Sequence, residues 1–404
     1  MKAVAIFTGS ELLNGQTTNS NQTGLGRELA SCGWTISRAE AVPDGLDAIQ
    51  DALSRALHED AELILICGGL GPTADDLTRS AVAQTLGRDL FTCGETLAEI
   101  RQRLSGRTHS EEHVVRQAEW IRGAVKIANV QGLAPGLLLR VGHSRIVLLP
   151  GPPREFLPMV RDGLIPLLKA EFPPLLRSAV LHTCGLRESD VELKTRPLLQ
   201  EFPDLIPAWC ASLGAVRVTL SLPAGREAEL SAAVSYARKL FGPDALEHDS
   251  AAAECLELAR RRKLRLATAE SCTGGLIAAA LTDVPGASEV FVGGFVCYAN
   301  DWKQSLLQVP AEILATHGAV SEATALALAA GLCRFAECGV VSTGIAGPGG
   351  GTPEKPVGTV WIATLVEGRV RSRLLQLRGD RKDIRDQAVT HGLDSLRRHL
   401  LEIS

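Results

Sequence analysis

Three short stretches in the C-terminal part of the chain set reactive side-chain types at glycine-rich turns. The first is Ala269-Glu270-Ser271-Cys272-Thr273-Gly274-Gly275, which joins an apolar run to a segment of small apolar residues. Read as strand, turn and helix, it puts a hydroxyl where helix N–H groups point and where two glycines let a ligand approach the backbone closely. Such a place suits a nucleophile or an anion ligand. A plain helix cap, with Ser or Thr before the first turn, reads equally well. Cys272 is a rival nucleophile, but no histidine lies near it in sequence to activate it, and inward packing also accounts for it. The second stretch, Tyr298-Ala299-Asn300-Asp301-Trp302-Lys303, ends an apolar strand and opens a helix. A Lys beside a Ser acts as base when burial lowers its pKa; taken singly, Lys303 reads more readily as an exposed surface residue. The third, Ser342-Thr343-Gly344-Ile345-Ala346-Gly347-Pro348-Gly349-Gly350-Gly351, ends another apolar strand. Its N–H groups can cradle phosphate or an oxyanion, or the loop is only a turn. It falls at the carboxyl end of a strand, where α/β sheets bind ligands. Arg378, Arg381 and Arg385 flank the start of the last helix, and they suit bidentate phosphate recognition or a solvated face.

The N-terminal part carries two further motifs. Gly9-Ser10-Glu11-Leu12-Leu13-Asn14-Gly15 follows the first apolar run, and Cys67-Gly68-Gly69-Leu70-Gly71-Pro72-Thr73-Ala74-Asp75-Asp76-Leu77-Thr78 follows another. The second joins a glycine loop, a hydroxyl and two carboxylates at a helix start. That set suits phosphate with a hard cation, which takes oxygen ligands. Helix capping by Asp75 and Asp76 reads equally well. His109-Ser110-Glu111-Glu112-His113 fits a zinc-peptidase pattern, but its surroundings are polar and offer no apolar face, so it reads as a chance match.

The elements that must position these motifs follow from periodicity. Residues 1–172 alternate short apolar runs ending in glycine (VAIFTG, ELILICGG, RIVLLPG) with helical patterns, which predicts an α/β domain with a largely parallel sheet. Gly142-His143 reads as a hairpin. Residues 173–247, opening at Pro173 and Pro174, read as a small α+β module. Residues 251–404 read as a second, independent α/β domain closed by a long helix from about Arg381. The expected fold class is therefore α/β: two separate three-layer α/β domains joined by a small α+β module. The chain has 404 residues, 45% hydrophobic and 22% charged, and a net charge of -4. That balance argues against a large footprint for nucleic acid or anionic membrane. The ten cysteines form no C-x-x-C pair and read as reduced residues of a cytosolic protein. The start, MKAVAIFTGSELL, reads as a first strand rather than a signal peptide, and no apolar stretch approaches the ~18 residues of a membrane span.

Together these motifs resemble the CinA family of competence- and damage-inducible proteins over essentially the whole length. GSELLNG with the nearby Asn21, GGLGPTADDLT, QAEWIRGAVKIANVQGLAPG and LPGPPREF are similar to the family's molybdopterin-binding-like domain. The middle part is similar to its KH-like module. AESCTGG, YANDWK, HGAVSE, STGIAGPGGG, PVGTVW and the closing GDR are similar to its C-terminal domain. The resemblance implies a nicotinamide-nucleotide amidase in residues 251–404, which converts nicotinamide mononucleotide (NMN) to nicotinate mononucleotide and ammonia without a cofactor. By motif, Ser271 is the nucleophile and Lys303 the base. Tyr298, Thr343 and the loop with Gly344, Gly347 and Gly349 orient substrate or oxyanion. Thr273, Gly274 and Gly275 line the substrate, and Arg381 faces phosphate. In some members the N-terminal domain hydrolyses ADP-ribose with a divalent metal (Mg, Mn or Co). That implies nucleotide contacts at Glu11, Asn21, Gly68, Gly69, Gly71 and Thr73, with metal at Asp75 and Asp76. Ser10 departs from the Asp of many relatives, which puts molybdopterin handling in doubt. Ile121 replaces a usual Pro. The KH-like module lacks the G-x-x-G loop that clamps RNA backbone, so no nucleic-acid partner is expected. The expected partners are small nucleotides and, as the default for enzymes of this size, a second copy in a homodimer, in the cytoplasm and off the membrane. A different class of reading is a non-catalytic nucleotide sensor in DNA uptake or damage response.

Overall fold

A computed structural model describes residues 1–106, 108–173, 175–212 and 214–402. The chain forms two compact units, Met1–Arg177 and Ser178–Ser404. The expected opening of the middle module at Pro174 lies outside the described residues, as does Arg107 beside the His109–His113 pattern.

Unit 1 contains β1 (Lys2–Thr8), β2 (Thr35–Val42), β3 (Leu63–Cys67), β4 (Leu90–Thr92), β5 (Glu119–Ile121), β6 (Val125–Ile127), β7 (Gly136–Val141) and β8 (Ser144–Leu149). Its main sheet runs β2-β1-β3-β8-β7-β6. The first four strands are parallel, and β7 and β6 close the edge antiparallel. Residues of β1 alternate between two cores: Ala3, Ala5 and Phe7 face one, Val4 and Ile6 the other. A sheet covered by helices on both faces must be apolar on both, which is why β3 (LILIC) is buried at every position. Gly142 takes φ +57 at the β7–β8 turn, as the hairpin reading requires.

Unit 2 holds two sheets. β9 (Leu176–Cys184), β10 (Ile206–Ser212), β11 (Ala215–Pro223) and β12 (Ala245–Leu246) form one, in the order β10-β11-β9-β12. Val191 and Leu198 of the Glu188–Glu201 helix and Ala233, Ala237 and Phe241 of the Glu227–Phe241 helix pack against it. The second sheet runs β14-β13-β15-β16-β17, with β13 (Leu266–Glu270), β14 (Phe291–Val296), β15 (Cys338–Gly344), β16 (Thr359–Val366) and β17 (Arg369–Gln376). β13, β14 and β15 are parallel, so their carboxyl ends share one edge. Cores lie on both faces. The closing helix spans Arg381–Glu402. No helix among the described residues is long and apolar enough to cross a membrane.

Candidate functional site

All three C-terminal motifs meet at the edge where β13, β14 and β15 end. The Ser271 N–H donates to the Ser342 carbonyl at 2.9 Å, continuing the ladder one step past β13. The chain then turns sharply: Gly274 and Gly275 take φ +62 and +92, a region that side chains rarely adopt. Ser271 is 9% exposed, and among the described residues its hydroxyl has no hydrogen-bond partner in the chain. Cys272 points inward. Burial pushes its thiol up to about 11, so it is protonated at neutral pH and no match for a nucleophile.

One expectation is overturned here. The N–H groups at the start of the Leu276–Thr282 helix do not face a ligand, because the Glu270 carboxylate occupies that end. It accepts from Gly275 N at 2.9 Å, Ile277 N at 3.0 Å, Ala278 N at 2.8 Å and Thr273 Oγ1 at 2.7 Å. Glu270 is fully buried. Thr273, expected to line the substrate, is also fully buried; its hydroxyl is shared between Glu270 and Ser342 Oγ, 2.7 Å away. It supports the turn from behind. Glu270 was missed in the sequence, although an acid ending a strand buried at every position was a signal.

Lys303 lies in the first turn of the Asn300–Leu307 helix and is 1% exposed, against its reading as a surface residue. Its ammonium donates to the Tyr298 carbonyl at 3.0 Å. Burial lowers its pKa, with the nearby Cys297, Cys272 and Tyr298 pulling it partly back. Among the described residues no hydrogen bond joins Lys303 Nζ to Ser271 Oγ. Thr343 is fully buried and donates to Ala319 O at 2.7 Å, so it braces the strand end.

Arg381 ties two of the motifs together. Its Nη1 donates to Gly347 O at 2.7 Å and its Nη2 to the Tyr298 hydroxyl at 3.1 Å. Arg385 was read with it but not placed at the substrate. Its Nη2 donates to Thr273 O at 2.8 Å, and its buried Nε has no partner. Arg381, Lys382 and Arg385 line a cleft of about 510 Å³ with Ala346, Gly347 and Pro348. Gly344 precedes the loop within β15, and Gly349 lies exposed beyond the cleft. Among the described residues the N–H groups of Ala346, Gly347 and Gly349 have no acceptor in the chain, so they remain available to a ligand. Arg378 does not line this cleft.

In unit 1, Glu11, Asn21, Gly68, Gly69, Gly71, Asp75 and Asp76 all line one cleft of about 720 Å³ at the carboxyl ends of β1, β3 and β8. Gly68 and Gly69 take φ +107 and +64; a Cβ at Gly68 would stand 2.4 Å from Thr8 Oγ1, so only glycine fits. Asn21 Nδ2 donates to Gly151 O at 2.6 Å, while its Oδ1 is buried without a partner. Behind the glycine loop, Arg79 is buried; desolvation lowers its pKa to about 10, and its Nη1 donates to Leu70 O at 3.1 Å. Thr73 does not line the cleft. Its N–H and hydroxyl donate to Asp76 Oδ2 at 2.7 and 2.6 Å, and Gly71 N donates to Asp76 Oδ1 at 2.8 Å. Asp76 thus organises its own loop while lining the cleft, and Thr73 spends its N–H and hydroxyl on Asp76 rather than turning them to the cleft. Ser10 donates to Asp44, another residue of the cleft wall. No group of three or more His, Cys, Asp or Glu that could hold a metal occurs among the described residues, at His109–His113 or elsewhere.

Each unit is thus an α/β layer structure with a glycine-lined cleft where parallel strands end, the architecture of small-ligand sites in α/β proteins. The chain belongs to the CinA family. Residues 248–400 match the family described as the CinA C-terminal domain, and residues 4–170 match a probable molybdopterin binding domain. A CinA-like protein of Gemmatimonas aurantiaca is 41% identical over 97% of this chain and 95% of its own. One from Dictyoglomus thermophilum is 36% identical over the full length of both. A solved competence/damage inducible protein from Agrobacterium tumefaciens is 47% identical, covering 37% of this chain and 96% of its own, with a TM-score of 0.34.

Proposed function

We propose that unit 2 hydrolyses the carboxamide of NMN to nicotinate mononucleotide and ammonia. The observation that carries this reading is the burial of Lys303 beside the turn that presents Ser271. A lysine amine held out of water and below its ordinary pKa is a base, and a serine hydroxyl with no partner among the described residues is free to be activated. Ser271 Oγ attacks the carboxamide carbon and its proton passes to Lys303. The oxyanion is met by free loop N–H groups. Collapse breaks the C–N bond, Lys303 returns the proton to the departing ammonia, and an ester on Ser271 remains. Water then repeats the sequence, with Lys303 again taking the proton, and frees the carboxylate product. The missing Ser271–Lys303 hydrogen bond fits a site without substrate, where such contacts are often long and tighten on binding. The phosphate goes to the cleft of Arg381, Lys382 and Arg385.

The test is incubation of purified protein with NMN. Ammonia and nicotinate mononucleotide in equal amounts support the reading; tight NMN binding without ammonia favours the non-catalytic sensor instead. EDTA is expected to leave ammonia release unchanged, since side chains alone move the protons; loss of activity restored by added metal overturns that. A cytoplasmic homodimer acting on small nucleotides, without nucleic acid or membrane, completes the proposal.

The 720 Å³ cleft of unit 1 favours a second reading, binding of a diphosphate nucleotide such as ADP-ribose. Its wall carries Glu11, Asp44, Asp75, Asp76 and Glu155 against the single cation Arg154, so a diphosphate needs a cation with it. The residues do not form a preformed cage for a divalent ion, because Asp76 is committed to its loop; Asp75 is the more exposed carboxylate of the pair, held below the ordinary carboxylate range by a bond from Thr73. Asp76→Ala is expected to lower stability by about 1–2 kcal/mol through loss of this cap-like bonding, and Asp75→Ala by under ~0.5 kcal/mol as a surface change. Thermal melts that rank the two variants the other way reject this assignment.

A further inference from the structure

We infer that Glu270 is a positioning residue that holds the Ser271 turn in its reactive shape and keeps anions away from it. The inference rests on the amidase reading above. A strand-to-helix turn next to two glycines would ordinarily be an anion site, because the helix end offers free N–H groups and a positive dipole. In this chain three of those N–H groups and the Thr273 hydroxyl all bond one carboxylate. The chain leads from that carboxylate directly into Ser271. Glu270 O also accepts from Cys297 N at 2.9 Å, and Ser271 N bonds Ser342 O, so the residues on either side of the turn are pinned to both neighbouring strands. Fixing both ends of a short turn sets where the Ser271 hydroxyl can point.

The second consequence is electrostatic. Glu270 replaces the dipole's positive end with a buried negative group, one residue from the nucleophile. The cationic side chains of the site lie elsewhere, in the cleft lined by Arg381, Lys382 and Arg385, where Lys382 is paired with Asp386 and Arg381 and Arg385 each keep N–H groups beyond those bonded to Gly347, Tyr298 and Thr273. A ligand with one neutral and one anionic end can therefore bind only one way round, with the carboxamide at Ser271 and the phosphate in the basic cleft. The reaction itself turns the neutral end into a carboxylate. The product's new charge is repelled through the turn by the buried Glu270, so product is bound less well than substrate and leaves.

Binding is measured by calorimetry in a Ser271→Ala background, with NMN and with nicotinate mononucleotide, with Glu270 intact and with Glu270→Gln. With Glu270 intact, NMN is expected to bind more tightly than nicotinate mononucleotide. In Glu270→Gln that preference shrinks several-fold, chiefly because the product binds more tightly. Glu270→Asp, with Ser271 restored, keeps the charge but shortens the reach; it is expected to lower kcat at least tenfold with KM changed less than threefold, while retaining the preference for NMN. An unchanged preference in Glu270→Gln, or a wild-type kcat in Glu270→Asp, overturns the inference while leaving the amidase reading intact. If Glu270→Gln does not fold, the Glu270→Asp arm decides alone. If the intact protein binds neither nucleotide, the amidase reading fails and takes this inference with it.

Discussion

Ser271→Ala is expected to abolish ammonia release from NMN while leaving the protein folded. Removing a serine nucleophile from a site of this kind lowers kcat by roughly 10⁴–10⁶-fold. The structural cost is small for a specific reason. Among the described residues the Ser271 side chain forms no hydrogen bond, and the bonds that shape the turn come from its backbone N–H and from Glu270 and Thr273. Removing one hydroxyl oxygen leaves all of them in place, so the change in stability is about 0.5 kcal/mol or less. The contrast is with Thr273→Ala, which breaks buried bonds to both Glu270 and Ser342 and is expected to reduce stability as well as turnover. The measurement is ammonia release beside a thermal melt on the same preparations. Near-normal turnover in folded Ser271→Ala would remove Ser271 from the chemistry and reopen the site to another nucleophile.

Local pattern made the scaffold legible. Short, mainly apolar runs ending in glycine mark β1, β3 and β8, because a strand buried on both faces is largely apolar; β13 and β15 are marked by the glycine-rich turns that follow them, despite the buried Thr268, Glu270, Ser342 and Thr343 within them. The closing helix began where the arginines indicated. What the pattern could not show is how side chains distribute their bonds across the fold. Asp76 reads as a metal ligand or a cap with equal force until Gly71 and Thr73 are seen folded back onto it. Arg381 and Tyr298 lie 83 residues apart and meet only because β14 and the last helix converge at one edge. Lys303 sits in a polar window, Asn300-Asp301-Trp302-Lys303-Gln304-Ser305, and its burial comes from packing of the Asn300–Leu307 helix rather than from its neighbours in sequence. The partners are near in sequence for Asp76 and Lys303 and remote for Arg381, but in each case the fold decides which of several available bonds the polar group makes.

Lys303→Met is expected to cut turnover by at least roughly 10²–10⁴-fold, the usual contribution of a positioned base, and to do so without the loss of stability that a structural lysine would show. Burial disfavours the charged amine, so the folded-state pKa lies below the ordinary lysine value of about 10.4. A lysine with a depressed pKa destabilises the fold wherever it is protonated. That penalty is fully present below the folded pKa, and it is relieved as pH rises from the folded pKa toward the unfolded one. Methionine is similar in length, apolar and carries no such penalty. The melting temperature of Lys303→Met relative to wild type should therefore be most favourable at neutral and lower pH, and the difference should shrink as pH rises toward 10, the range in which wild-type Lys303 sheds its proton. Activity runs in the complementary direction. The base works only when neutral, so the wild-type rate should climb with pH through the folded pKa of Lys303, and this limb should vanish in the residual activity of Lys303→Met. A pH–rate profile that keeps its rising limb in the variant assigns the base to another group. A wild-type advantage in melting temperature that holds at every pH would mean that the amine is there to support the strand end at Tyr298.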